Sequence, residues 1–240
     1  MEKKKLILPA IISVIIVISL LSGCVMPTWV RTTGWEHIGP DDGTSVKLRG
    51  SLLTKNVSDW NLFIVWDDES HSGWESYENK VKPDVYINIT KSFAQFYLEL
   101  DNLDRTQKYY FRAVGELLLR ARSEWYQGLE MTFIPGLPVV KTKGVTEKTH
   151  NSAVIHGYLE RMSGATSCEV WFEYDEQNPD GSPPDIFRNK TTPQEMAEIG
   201  PFYNSIGNLK SNTTYYYRAV ASNDVGEDHG FREDFTTLKE

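Results

Sequence analysis

Cysteine is almost absent from this 240-residue chain, which has two, Cys24 and Cys168. A disulfide-dense scaffold is excluded, so folding must rest on apolar packing. Outside Lys3–Lys5 there is no cluster of Lys or Arg, and the formal charge is −8. Nucleic acid is therefore excluded as a partner, because phosphate binding needs a basic stripe. Recruitment to a membrane by charge alone is excluded on the same ground. The five histidines, His37, His71, His150, His156 and His229, form no metal-ligand spacing with one another or with cysteine. There is no glycine-rich phosphate loop and no nucleophile elbow. No cofactor, no metal and no catalysis are expected. Asp175, Glu176, Asp180 and Asp185 cluster with Asn178 and Gly181. Their spacing is not that of an EF-hand, and the segment reads as a solvated turn. Apolar residues are plentiful: 40% of the chain is hydrophobic and 12% aromatic, enough to build real cores.

The N-terminus carries the one strong targeting signal. Three lysines precede a nearly unbroken apolar run from Leu6 to Leu21, and Leu21-Ser22-Gly23-Cys24 follows. This resembles a prokaryotic lipoprotein signal peptide over residues 1–23, with Cys24 as the lipidated thiol. The small residues admit a peptidase, and the thiol takes the lipid. The alternative is an uncleaved anchor helix, since about 17–25 apolar residues can span a bilayer. Either reading exports the remainder and tethers it to a membrane at its N-terminal end. With Cys24 lipidated, Cys168 has no partner and reads as a strand residue.

What dominates the rest is repetition. Tyr109-Tyr110-Phe111-Arg112-Ala113-Val114 returns 106 residues later as Tyr215-Tyr216-Tyr217-Arg218-Ala219-Val220. That is about the length of one β-sandwich. Aligned on this phrase, Val46, Leu48, Gly50 and Leu52 match Ala153, Ile155, Gly157 and Leu159. Leu62, Ile64, Trp66 and Asp67 match Val170, Phe172, Tyr174 and Asp175, and Gly128 and Phe133 match Gly230 and Phe235. The period of two predicts half-buried strands. Each half reads as about seven strands. One short helical turn is expected across Thr192–Ile199, after Pro193. Domains are expected at 24–134 and 138–240, joined stiffly through Pro135-Gly136-Leu137-Pro138.

In the second half, Leu209, Thr213 and Tyr215 stand at the spacing Leu-x-x-x-Thr-x-Tyr, followed by Arg218, Ala219, Ala221, Asn223 and Gly226. This resembles the E–F corner and F strand of a fibronectin type III domain. The resemblance spans nearly all of 138–238 and is looser over 27–134, where Arg105 and Gln107 replace the usual turn residues. It implies an all-β chain of two tandem immunoglobulin-like sandwiches. In each, a tyrosine, Tyr109 or Tyr215, would turn its hydroxyl back to the E–F turn. It implies adhesion, ligand binding or spacing, and no catalysis.

The first copy departs from the second just past Val114, at Leu117–Tyr126. Tyr109 to Phe133 spans 24 residues, whereas Tyr215 to Phe235 spans 20. Arg120, Arg122, Trp125 and Tyr126 in this longer F–G segment are candidate ligand-binding residues, because interface hot spots favour Trp, Tyr and Arg. The other reading is a longer hairpin whose leucines pack on the protein. Trp29, Trp35, Trp60 and Trp74 are read as closing the sandwich ends or as platforms for sugars. Asn56, Asn88, Asn189 and Asn212 each begin a glycosylation sequon. The expected role is a membrane-anchored envelope protein that recognises a protein or polysaccharide, with an architectural spacer or assembly part of the envelope as the alternative and an accessory module of a carbohydrate-active enzyme as a third reading.

Overall fold

The computed structural model describes residues 28–83 and 85–240; the expected signal peptide over residues 1–23 and the expected lipidation site Cys24 lie outside them. Among the described residues no helix is long and apolar enough to cross a membrane. The chain is all-β. Its first nine strands are β1 (Trp29–His37), β2 (Val46–Leu53), β3 (Trp60–Asp67), β4 (Asn79–Val81), β5 (Val85–Ile87), β6 (Phe93–Leu100), β7 (Tyr109–Leu118), β8 (Ser123–Gln127) and β9 (Met131–Phe133). They form two sheets, β1-β2-β6-β5 and β4-β3-β7-β8, with β9 continuing the edge beside β7.

The remaining strands repeat the plan. They are β10 (Val139–Thr146), β11 (Ala153–Arg161), β12 (Cys168–Glu176), β13 (Asn189–Lys190), β14 (Gln194–Met196), β15 (Gly200–Ile206), β16 (Thr214–Ser222), β17 (Glu227–His229) and β18 (Glu233–Thr236). One sheet is β10-β11-β15; the other is β13-β12-β16-β17, with β14 on β12 and β18 on β16. All pairings are antiparallel. In family lettering each half has A, B and E on one sheet and C′, C, F and G on the other, an immunoglobulin-like sandwich. The first half adds a D strand, β5, beside E.

The period-two apolar residues face inward. Val46, Leu48, Leu52, Ile64, Phe96 and Phe111 fill one core; Ile155, Leu159, Val170, Phe172, Phe202 and Tyr217 fill the other. The expected helical turn after Thr192 is absent: Gln194–Met196 pair with Cys168–Val170 as an edge strand. Three residues there gain more from completing the β12 ladder than from one isolated helical turn, whose nucleation is costly.

The two halves agree in fine detail. Tyr109 Oη accepts from Asp104 N at 3.1 Å, and Tyr215 Oη accepts from Lys210 N at 2.9 Å, so both tyrosine corners form. Ahead of each corner, Asn102 and Asn208 take left-handed backbone, with φ of 58° and 57°. Leu103 N and Leu209 N then donate to Thr44 O and Asn151 O, both at 3.0 Å. Asp67 and Asp175, buried at the ends of β3 and β12, each accept two backbone N–H groups of the following loop. Cys168 is buried in β12, and burial first among causes pushes its thiol up to about 11. It is an inert packing residue.

Candidate functional site

The F–G segment of the first half is a hairpin. Leu118 pairs with Ser123, and Leu119 N donates to Arg122 O at 3.0 Å, leaving Arg120 and Ala121 at the turn. The four candidate residues do not converge. Arg120 and Arg122 are exposed at the tip, where Arg122 reaches Glu124 at 2.6 Å. Tyr126 faces inward, its ring 5.1 Å from that of Trp60. Trp125, one residue away, faces the opposite side, because successive strand side chains alternate.

On that outer face Trp125 joins residues the sequence reading missed or placed elsewhere. Its ring stacks on Trp74 at 4.2 Å and lies 5.9 Å from Phe63. Lys80 Nζ sits 4.0 Å from the Trp125 centroid, 4.3 Å from Trp74 and 4.4 Å from Phe63. Burial lowers the Lys80 pKa from its ordinary value, against the opposing pull of Glu116 and Glu75. The cation instead gains from three ring faces, each worth about 0.5–1 kcal/mol at exposed sites.

A loop, residues 68–78, folds across this outer face and brings Trp74 to Trp125. Arg112 Nη2 donates to His71 O at 2.6 Å, and Tyr77 Oη donates to Glu130 Oε1 at 2.5 Å. Glu130 also accepts from Ser70 Oγ and His71 N. Burial opposes ionisation of Glu130, but the bonds from Tyr77, Ser70 and His71 outweigh it and hold its pKa below the ordinary value. Tyr77 of the loop packs with Val65 and Val114 in a small third core. A signal for this cover exists in the sequence: Leu62-Phe63-Ile64-Val65-Trp66 is a continuous apolar run, which marks a strand buried on both faces.

The second half has part of the same arrangement. Trp171 takes the place of Phe63, and Lys190 Nζ lies 5.5 Å from its centroid. Glu227, paired with Ser222, stands where the first half has Trp125 paired with Glu116. The ring pair belongs to the first half.

The other tryptophans divide. Trp60 is a core residue, its Nε1 bonded to Thr54 Oγ1 at 3.0 Å, and is not a platform. Trp35 packs on Phe133 at 5.4 Å, and Trp29 lies under the Arg31 guanidinium at 4.4 Å. The sequon asparagines Asn88, Asn189 and Asn212 are exposed; Asn56 is half-buried and bonded to Asp59 at 3.0 Å. Among the described residues no group of three His, Cys, Asp or Glu side chains is placed to hold a metal.

The opposite end of the first half is docked on the second. Asp41 accepts from Met162 N at 2.8 Å and Ser163 N at 2.7 Å, while its carbonyl accepts from Gly164 N. Arg105 donates twice to Ser163 O and holds Asp224. Asn223 Nδ2 reaches Gly136 O at 2.8 Å, so the linker is pinned from both sides. Gly43 and Gly164, at φ of 70° and 84°, let the backbones touch: a Cβ on Gly43 would lie 2.5 Å from Ser163 O.

No family model matches the chain, and no curated protein matches it. Among solved structures it is similar to the sensor domain of the anti-sigma factor RsgI4 in Pseudobacteroides cellulosolvens, at 20% identity, covering 43% of this chain and 96% of that one, with a TM-score of 0.33. It is similar to the third fibronectin III domain of human KIAA0343 protein, at 15% identity, covering 44% and 86%, with a TM-score of 0.32. Domains A168–A170 of titin match at 16% identity, covering 82% of this chain and 60% of that one, with a TM-score of 0.31. The sandwich fold follows from this chain's own strand order and register.

Proposed function

We propose that this chain is a non-catalytic, membrane-anchored cell-surface protein whose tandem sandwiches recognise an envelope protein or polysaccharide. Recognition is assigned to the outer face of the first sandwich. The observation that carries the reading is the Trp74–Trp125 stack with Lys80 beside it. Half-buried ring faces on a sheet surface suit the apolar face of a sugar or an aromatic-rich peptide, and Trp is enriched where binding energy concentrates. The lysine favours an acidic ligand.

The test is affinity electrophoresis of the full chain against a neutral glucan, a xylan and a uronic-acid polymer. Retardation should be lost in Trp74→Ala/Trp125→Ala, while the thermal transition of both sandwiches survives. Unchanged retardation in the double variant would remove the outer face as the site.

The docked interface supports a second reading. Arg105, Asp41 and Asn223 fix one sandwich on the other, as an architectural spacer requires. A spacer shows no saturable ligand in the same experiment.

A further inference from the structure

The free end of the first sandwich gathers side chains of one kind. Strand pairing puts Trp29 opposite Leu53 and Leu53 opposite Phe93, and it puts Trp60 opposite Leu117. The entry of the chain at Trp29, the β2–β3 loop, the β5–β6 loop and the tip of the β7–β8 hairpin therefore share this end. The docked interface lies at the other. In the second sandwich the equivalent loops, 161–167 and 223–226, are covered by the first sandwich through Asp41 and Arg105. In the first, no other part of the described residues is docked on them.

This end of the first sandwich presents Leu118 at 47% exposure, Leu119 at 42% and Ile89 at 58%. Around them stand the exposed cations Lys55, Lys91, Arg120 and Arg122. The acids there are Asp59, bonded to Asn56, Glu124, bonded to Arg122, and Glu116, bonded to Asn61. An acidic protein thus turns a cationic, aliphatic end toward its own N-terminus. Trp29, with Arg31 over its ring, sits at the same end, a pairing suited to the polar–apolar boundary of a bilayer.

Chain length limits how far this end can stand from an N-terminal anchor. From Cys24 to Trp29 is five residues, a reach of at most roughly 18 Å. If the chain is anchored through Cys24, the first sandwich cannot stand farther than that from the membrane surface.

We infer that this end rests on the lipid bilayer. Leu118, Leu119 and Ile89 enter the headgroup boundary, and Lys55, Lys91, Arg120 and Arg122 meet anionic headgroups. The inference rests on the N-terminal anchor reading. The anchor supplies the recruitment that net charge −8 does not; the contact orients the sandwiches and leaves the Trp74–Trp125 face free at the side. Insertion is shallow, about 5–10 Å.

The test uses the full chain reconstituted into vesicles of equal parts phosphatidylcholine and phosphatidylglycerol. Leu119→Cys, Ile89→Cys and, at the far end, Lys239→Cys are each labelled with a fluorophore and read against the parent chain labelled in the same way. Nitroxide-labelled lipid should quench the labels at 119 and 89 and spare the label at 239. Protein that floats with the vesicles but shows no added quenching at 119 and 89 overturns the contact and leaves the anchor standing. Protein that does not float with the vesicles overturns both. A second readout is independent of labelling: a glycan on Asn88, beside Ile89, would hold this end off the bilayer and overturn the contact.

Discussion

Arg105 of the first sandwich grips Asp224 of the second at two points, Nη1 to Oδ2 at 2.6 Å and Nη2 to Oδ1 at 3.1 Å, across 119 residues of sequence. The same guanidinium caps Ser163 O from Nε and Nη2, at 3.0 and 2.9 Å. A planar fork satisfies a carboxylate and a carbonyl at once, which lysine cannot do. Arg105→Lys should therefore loosen the joint nearly as much as Arg105→Ala. Small-angle scattering should show a broader spread of end-to-end distances in both variants, with each sandwich still folded. An unchanged profile in Arg105→Ala would show that Asp41 and Asn223 suffice.

The tyrosine corners give a matched pair of stability tests. Tyr109→Phe and Tyr215→Phe each remove one hydroxyl that accepts a backbone N–H. Each should cost about 0.5–1.5 kcal/mol, measured by urea unfolding. The sites lie in separate cores, so the losses should add in the double variant.

Gly50 and Gly157 test core shape. A Cβ would come within 2.5 Å of Phe96 Cζ at Gly50 and 2.4 Å of Phe202 Cζ at Gly157. Gly50→Ala and Gly157→Ala should each destabilise by about 1–3 kcal/mol through overpacking. The partner substitution Phe96→Leu should recover part of the loss in Gly50→Ala.

These two glycines were visible from sequence only as matching positions in the two copies. So were Tyr109, Tyr215, Asp67 and Asp175. Repetition exposes them because the same backbone demand selects the same residue twice. The joint was less legible. Arg105 showed itself only as a departure from the usual turn residue, and Asp41 sits in a loop with no periodic pattern. The outer-face ring pair was half legible. Trp125 stood out, but Trp74 lies 51 residues earlier in a loop whose path depends on Arg112 and Glu130. Tyr126 is Trp125's neighbour in sequence, yet strand alternation sends the two to opposite faces.

His37 should make stability depend on pH. Its ring is buried against Trp35 at 5.0 Å, and among the described residues neither ring nitrogen has a hydrogen-bond partner. Burial first, then the Arg161 charge, lowers its pKa to about 4, with Asp41 opposing. Between pH 6.5 and 4 the unfolded chain therefore binds the proton that the folded chain refuses. The contribution is present in full above about 6.5 and is lost as pH falls through 4. It amounts to about 2–3 kcal/mol after allowance for partial solvent screening. Urea midpoints at pH 7 and pH 4.5 should differ more in the parent chain than in His37→Phe. Equal differences in the two would place the titrating group elsewhere.

The placement of the chain ends has a mechanical consequence. The chain enters the first sandwich at Trp29, at one end, and leaves after Phe133, beside Tyr109 at the other. Tension between an anchored N-terminus and a held ligand would pull β1 lengthwise against β2, along eight paired positions. Antiparallel ladder bonds run across the strands, so such a pull loads them together in shear instead of peeling them one by one. The A strand is thus set to resist a pull along its own length.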